Sequence, residues 1–378
     1  MPESSPRVSI ATAATREEAV ARALDLIRDD ILEKVRGRVM IKPNFLSSTD
    51  PLASTTADAV GPILSFLRDS SAESVIIAEG GSRSTSQALD TFGYRPLLKE
   101  FDIKAVDLNR VQHPLSFGAV TALSGGEQDI QYADIRALAD TVISVPVAKT
   151  HDCAMVTLSV KNMMGCIRRV HRPRMHGIVV GNMVSRIAER IWNAIERRTL
   201  VIKSFSGIVF TVVNRLRSRG ADRRSGLKPG IVRQSGAMAE NLARMGTVLM
   251  PDITVIDAFE AMEGDGPGSS GTPVDMRVAV AGTDPVACDA VMARLMGFDP
   301  MNVGHLHLLH ERGLGVADTN IIETVGEKPE AVARAFKPHY NLPEQLRWRS
   351  CFRIVNETGA HDYVDAVTIQ ACTAIDPD

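Results

Sequence analysis

Apolar and polar positions along this chain alternate with two periods, one near two residues and one near 3.6, and the switch between them recurs through the first 150 residues. Arg7 to Ala11 is a short β-rich run. Thr15-Arg-Glu-Glu18 then carries a capping-box signature and opens an amphipathic helix to about Lys34. Arg38 to Ile41 reads as a second strand that runs into Lys42-Pro43-Asn44, where the proline ends the ladder because it has no N–H to give. Thr55 or Thr56 caps a helix to about Leu67. Ser74 to Ala78 is an apolar strand ending in Glu79-Gly80-Gly81-Ser82, with Ser82 placed to cap the next helix. A helical stretch to Phe101, a strand to Asp107, a hairpin-like run from Pro114 to Leu123, a short helix over Ala133 to Ala139 and an apolar strand over Thr141 to Val147 follow.

Strands alternating with helices in this way predict an α/β fold, a mostly parallel sheet covered by helices on both faces. The pattern changes between Ile178 and Arg233, where Met183 to Arg197 and Phe205 to Arg217 read as amphipathic helices of a basic helical insertion. Sheet character returns at Ile253 to Ile256. An irregular glycine-rich acidic loop is expected from Asp257 through Glu260 and Gly266 to Gly268, because glycine and proline break regular structure. Arg277 to Ala281 is a strand, Asp284-Pro285 starts a helix with Asp at the cap, and Asp289 falls on that helix among apolar residues. Val303 to Glu311 is helical and Ile321 to Val325 is a last strand. The expected division is an N-terminal α/β region (1–150), a site segment with the basic insertion (151–250), a C-terminal α/β region (251–337) and a C-terminal extension (338–378) with a β-like run from Tyr363 to Ala371.

Composition narrows the function classes. The 378 residues carry a formal net charge of -2 and only 4 % aromatics, so the core is aliphatic. Between Ile167 and Arg233 stand 16 Lys and Arg against 3 acids. Peripheral contact with an anionic membrane surface through these helices is one use for that charge, whereas no recognised nucleic-acid module accompanies it and nucleic acid is not expected as a partner. The five cysteines form no CxxC pair, which excludes an iron–sulfur or zinc pattern and suits a reducing, cytoplasmic setting. The N-terminus lacks a signal-peptide pattern, and no apolar run reaches the length of a membrane span.

The chemistry concentrates in one stretch, Val145 to Gly177. It opens on an apolar strand and then presents Lys149, Thr150, His151, Lys161, Asn162 and His176 in what reads as a polar loop. Open α/β sheets bind ligands outside the carboxyl ends of their strands, and Lys42, Asn44, Glu79, Gly80 and Gly81 fall at two more such ends. Lys149 and His151, two apart on an extended segment, point the same way. A histidine titrating near neutrality beside lysines makes an acid/base site for an anionic substrate, or an activated lysine. His151, Lys161, Lys149 and His176 are therefore the catalytic candidates. Lys42, Asn44, Glu79, Gly80, Gly81, Asn162, Asp257, Glu260 and Gly266 are the binding candidates, and the acidic loop could supply a second base or oxygen ligands for a divalent metal.

Several motifs in order give a resemblance. IKPNF (Ile41 to Phe45), AEGG (Ala78 to Gly81), KTH with VKNMMG (Lys149 to Gly165), MHG (Met175 to Gly177), PDITVIDAFEAMEGDGPGSSGTP, GTDPVACDAV and VGHL resemble the domain-of-unknown-function 362 family (DUF362) from roughly Met40 to Glu327. Many members of that family carry a ferredoxin-like module, and this chain has no such cysteine run. A fainter similarity is to lactate racemase-like proteins, in which a His followed about ten residues later by a Lys serves a nickel-bearing pincer nucleotide. His151 and Lys161 have that spacing, so the similarity implies a metal-bearing nucleotide with Lys161 as its tether and His151 or His176 as proton carrier. The expected function is a cytoplasmic enzyme, isomerase-, racemase- or lyase-like, performing proton transfer on a small carboxylate or phosphate. The alternative is a non-catalytic protein that holds or delivers a metal or small cofactor.

Overall fold

A computed structural model describes residues 5–111, 114–123, 126–179, 228–354 and 361–363. The strands are β1 (Arg7–Thr12), β2 (Gly37–Pro43), β3 (Ala72–Glu79), β4 (Lys104–Asp107), β5 (Pro114–Thr121), β6 (Glu127–Ala133), β7 (Thr141–Val145), β8 (Val147–His151), β9 (Met155–Thr157), β10 (Ile253–Gly264), β11 (Gly271–Gly282) and β12 (Glu323–Gly326). Ten of them form one mixed, mostly parallel sheet in the order β12-β1-β11-β10-β7-β2-β3-β4, with β8 beside β10 and β9 paired to β8. β5 and β6 form a separate hairpin, whose first strand is the hairpin-like run expected from Pro114 to Leu123. The α/β expectation holds, and the regions 1–150 and 251–337 contribute strands to the same sheet.

Helices cover both faces. The helices Arg16–Leu26 and Ala57–Leu67 pack one aliphatic cluster with the inner residues of β2 and β3. The helices Pro229–Leu249, Pro285–Leu295 and Gly304–Glu311 build the other. Local rules account for the ends. Thr15 Oγ1 accepts the Glu18 amide at 3.2 Å, and Asp284 accepts the amides of Val286 and Ala287 with Pro285 at the first helical position.

Several sequence expectations shift. The first helix breaks at Ile27 and resumes as Arg28–Lys34. Ser84, not Ser82, caps the helix after β3, while the Ser82 amide donates to the Phe45 carbonyl. The polar loop expected after Val147 is a buried strand, β8. Its neighbour β10 supplies partners at Asp257 and Met262, so the backbone is satisfied by ladder bonds rather than by water. The acidic loop expected from Asp257 is strand through Gly264 as well, because β10 and β11 form a long antiparallel ribbon. The helix Pro229–Leu249 extends well past the expected end of the basic segment. The helices expected over Met183 to Arg197 and Phe205 to Arg217, and the run after Tyr363, lie outside the described residues.

Candidate functional site

The carboxyl ends of β2 and β3 lie side by side and hold a buried ion pair. Lys42, fully buried, donates to Glu79, which is 3 % exposed. Asn162 joins them: its Oδ1 accepts from Lys42 Nζ at 3.2 Å and from Asn44 Nδ2 at 3.1 Å, and its Nδ2 donates to the Lys42 carbonyl and to Ser144 Oγ. Asn44 Oδ1 in turn accepts from Lys149 Nζ at 2.6 Å, and the Ala53 carbonyl takes a second Lys149 hydrogen. One network therefore runs through five of the residues singled out in the sequence. Its polar atoms are engaged with one another, so its first role is to lock strand ends to the turn Ser159–Asn162.

The Gly80-Gly81 turn is closed around the same network. A Cβ on Gly80 would sit 2.4 Å from the Gly165 carbonyl, and one on Gly165 would sit 2.6 Å from both Lys42 Nζ and Glu79 Oε1, so each glycine is required by close approach. The Gly81 amide donates to Thr85 Oγ1, and the Gly81 carbonyl accepts from Asn109 and Arg169. Arg172 donates to the carbonyls of Gly80, Gly165 and Ile167. Burial lowers its guanidinium to about 10.

Beyond this network, β8 ends in His151 and the chain turns through Asp152 and Cys153. His151 is 3 % exposed, and its Nδ1 accepts the amides of Cys153 and Ala154 at 3.1 and 3.2 Å, with Asp152 Oδ1 3.0 Å away. Cys153 Sγ lies 3.7 Å from His151 Nδ1 and 3.4 Å from His176 Nδ1, and the two rings stack with centroids 6.2 Å apart. Ligand atoms of His151, Asp152 and Cys153 all fall within 4.8 Å of one another, a mixed N/O/S set that could hold a metal ion. The C-terminal segment covers this turn, Gln345 donating to the His151 carbonyl and Asn341 to that of Asp152.

Lys161 differs from the other two lysines. It is 9 % exposed, yet among the described residues its Nζ meets only the Met164 thioether, at 3.7 Å. Burial lowers its amine, and the Cys153 and Asp152 charges oppose that only in part. Burial, with the Lys161 charge, brings Lys149 down to about 7 and His151 down to about 4. His151 is thus neutral at physiological pH rather than poised near neutrality, and the group that titrates near 7 is Lys149.

Asp289 holds Lys161 in position. Its two carboxylate oxygens accept the Ser159 amide at 2.7 Å and the Val160 amide at 2.9 Å, at the start of the turn that carries Lys161 and Asn162. Burial lifts this carboxyl to about 8 against the pull of those two bonds.

The remaining candidates spread out. Asp257 pairs with Arg16 at 3.0 Å rather than joining the network, and Glu260 is exposed on β10. Gly266 packs beside β8, where a Cβ would meet the Thr150 carbonyl at 2.6 Å. Cys153 and His305 were not singled out for chemistry. The cysteines carry no pairing pattern, and His305 is hidden among three histidines of one helix whose exposure only packing decides.

A family model described as a domain of unknown function (DUF362) matches residues 39–294. Thylakoid-associated protein sll1697 of Synechocystis is 22 % identical over 311 residues, 82 % of this chain and 77 % of that protein. Among solved structures, the lactate racemase apoprotein from Thermoanaerobacterium thermosaccharolyticum aligns with a TM-score of 0.42 at 14 % identity, covering 76 % of this chain and 57 % of that one.

Proposed function

The chain belongs to the DUF362 family, and on that premise we propose that it is a cytoplasmic enzyme moving a proton on a small anionic substrate, a carboxylate or phosphate. One observation carries the reading: among the described residues the Lys161 amine is buried without an oxygen partner, burial lowers its proton affinity, and the charges of Cys153 and Asp152 act on it. A buried amine of lowered pKa can take a proton from carbon as a free base and, once protonated, holds an anion in a dry site. Structural lysines of the same fold, Lys42 and Lys149, have their hydrogens spent on protein oxygens. His151 and His176 flank the Cys153 thiol, and Lys149, titrating near 7, is coupled electrostatically to Lys161.

The test is solvent exchange. Incubated with a panel of small carboxylates and phosphates in D2O, the wild-type chain is expected to wash deuterium into one C–H position, read by proton NMR. Lys161→Ala is expected to lose at least 100-fold of that rate and His151→Ala a smaller part, both remaining folded by circular dichroism. Exchange at the wild-type rate in both variants would sink the proposal.

The second reading, a non-catalytic protein holding a metal or small cofactor, draws on the His151–Asp152–Cys153 set. It expects stoichiometric metal in the purified chain, lost in Cys153→Ser, and no exchange with any substrate.

A further inference from the structure

Among the described residues, two that line one small cavity each carry a buried polar atom without a hydrogen-bond partner. His305 is 1 % exposed with an unpartnered Nε2, and Ser235 is 3 % exposed with an unpartnered Oγ. Both line the same enclosure, together with Cys153, Gln345 and Trp348. Folded chains pair nearly all their buried polar atoms, because each orphan carries a desolvation cost. Two such residues lining a single cavity, which has room for about one water-sized group, point to a small polar group that enters it. The cavity adjoins the proposed site: Cys153 forms part of its wall and also touches His151 and His176. The Lys161 charge reaches it as well, since His305 is lowered to about 3 by burial, Lys161 and His151.

The described lining includes no Lys, Arg, Asp or Glu. A carboxylate or phosphate seated here would meet no cation in the described lining, whereas a neutral hydroxyl or carbonyl group would satisfy both orphans. We propose that this cavity takes an uncharged oxygen group of the substrate, through His305 Nε2 and Ser235 Oγ, while its anionic end lies toward Lys161. The substrate class is then a small carboxylate or phosphate that also bears a hydroxyl or carbonyl. This inference rests on the proposed anion site at Lys161.

Calorimetric binding of two isosteric pairs to the full chain tests it: glycolate against propionate, and 2-hydroxyethyl phosphate against propyl phosphate. The wild-type chain is expected to bind the hydroxylated member of one pair at least tenfold more tightly, the discrimination that a site built for a hydroxyl shows against its apolar twin. Ser235→Ala is expected to bring that ratio within twofold, leaving affinity for the apolar twin unchanged. It should also raise Tm by about 1–2 °C, because an unpartnered hydroxyl has been removed. His305→Gln should lower the ratio too. Equal binding of both twins, weakened for both by Lys161→Ala, would leave the anion site standing and overturn the cavity inference. A ratio unchanged in Ser235→Ala and His305→Gln would overturn it as well. Binding of no probe by the wild-type chain would remove the anion-site reading, and this inference with it.

Discussion

Three lysines at strand and helix ends have three different fates, and hydrogen-bond partners decide them. Lys42 is neutralised by Glu79, Lys149 is tied to Asn44 and to the Ala53 carbonyl, and Lys161 meets a thioether. Lys149 makes a pH prediction. Its amine titrates at about 7 when folded, against 10.5 for an ordinary lysine. Between those values Lys149 is protonated in the unfolded chain and not in the folded one, so its contribution to stability rises with pH across that window and is flat just below it. The rise from this one group is on the order of 4 kcal/mol. Urea denaturation at pH 7, 8.5 and 10 is expected to show a steeper rise with pH in the wild type than in Lys149→Met. Parallel curves for the two proteins would contradict the assignment.

At the scale of elements, the short turn Ser159–Asn162 cannot hold its geometry alone, since a helix of that length has most of its amides unbonded. Asp289 supplies the missing acceptors from the neighbouring helix Pro285–Leu295, and that bond orients both Lys161 and Asn162. Asp289→Ala leaves two buried amides unpaired and is expected to cost about 2–5 kcal/mol. Asp289→Asn, which keeps one acceptor, should cost roughly half as much. The check is chemical denaturation of both variants beside the deuterium-exchange rate. An alanine variant as stable as the wild type would show that the clamp is not structural.

Across the whole molecule, the Lys42–Glu79 pair joins two adjacent strands and, through Asn162, ties the sheet to the site turn. A buried charge whose partner is removed is costly, while replacing both members is much less so. Glu79→Gln is therefore expected to destabilise by about 3–5 kcal/mol, and the double substitution Lys42→Met with Glu79→Leu by much less. A double-mutant cycle in urea measures the coupling. Additive losses would mean that the two side chains act independently. Among the described residues no helix is long and apolar enough to cross a membrane.

Much of the fold was legible along the chain. The alternation of strands and helices, the Thr15 cap and the Asp284-Pro285 helix start are local signals, written in neighbouring residues and read from them. The motifs around Lys42 and Glu79 were legible as a set, because each closes a strand that the local pattern predicts. Two decisions needed the tertiary structure. The first was that Val147 to His151 and Asp257 to Gly264 are strands, since they pair with each other across more than a hundred residues: Asp257 opposite Val147, and Met262 opposite Lys149. The second was the division of roles among the polar residues. Whether a lysine is paired, pinned or free depends on which carboxylate, amide or carbonyl the fold brings within 3 Å, and no residue type or spacing encodes that.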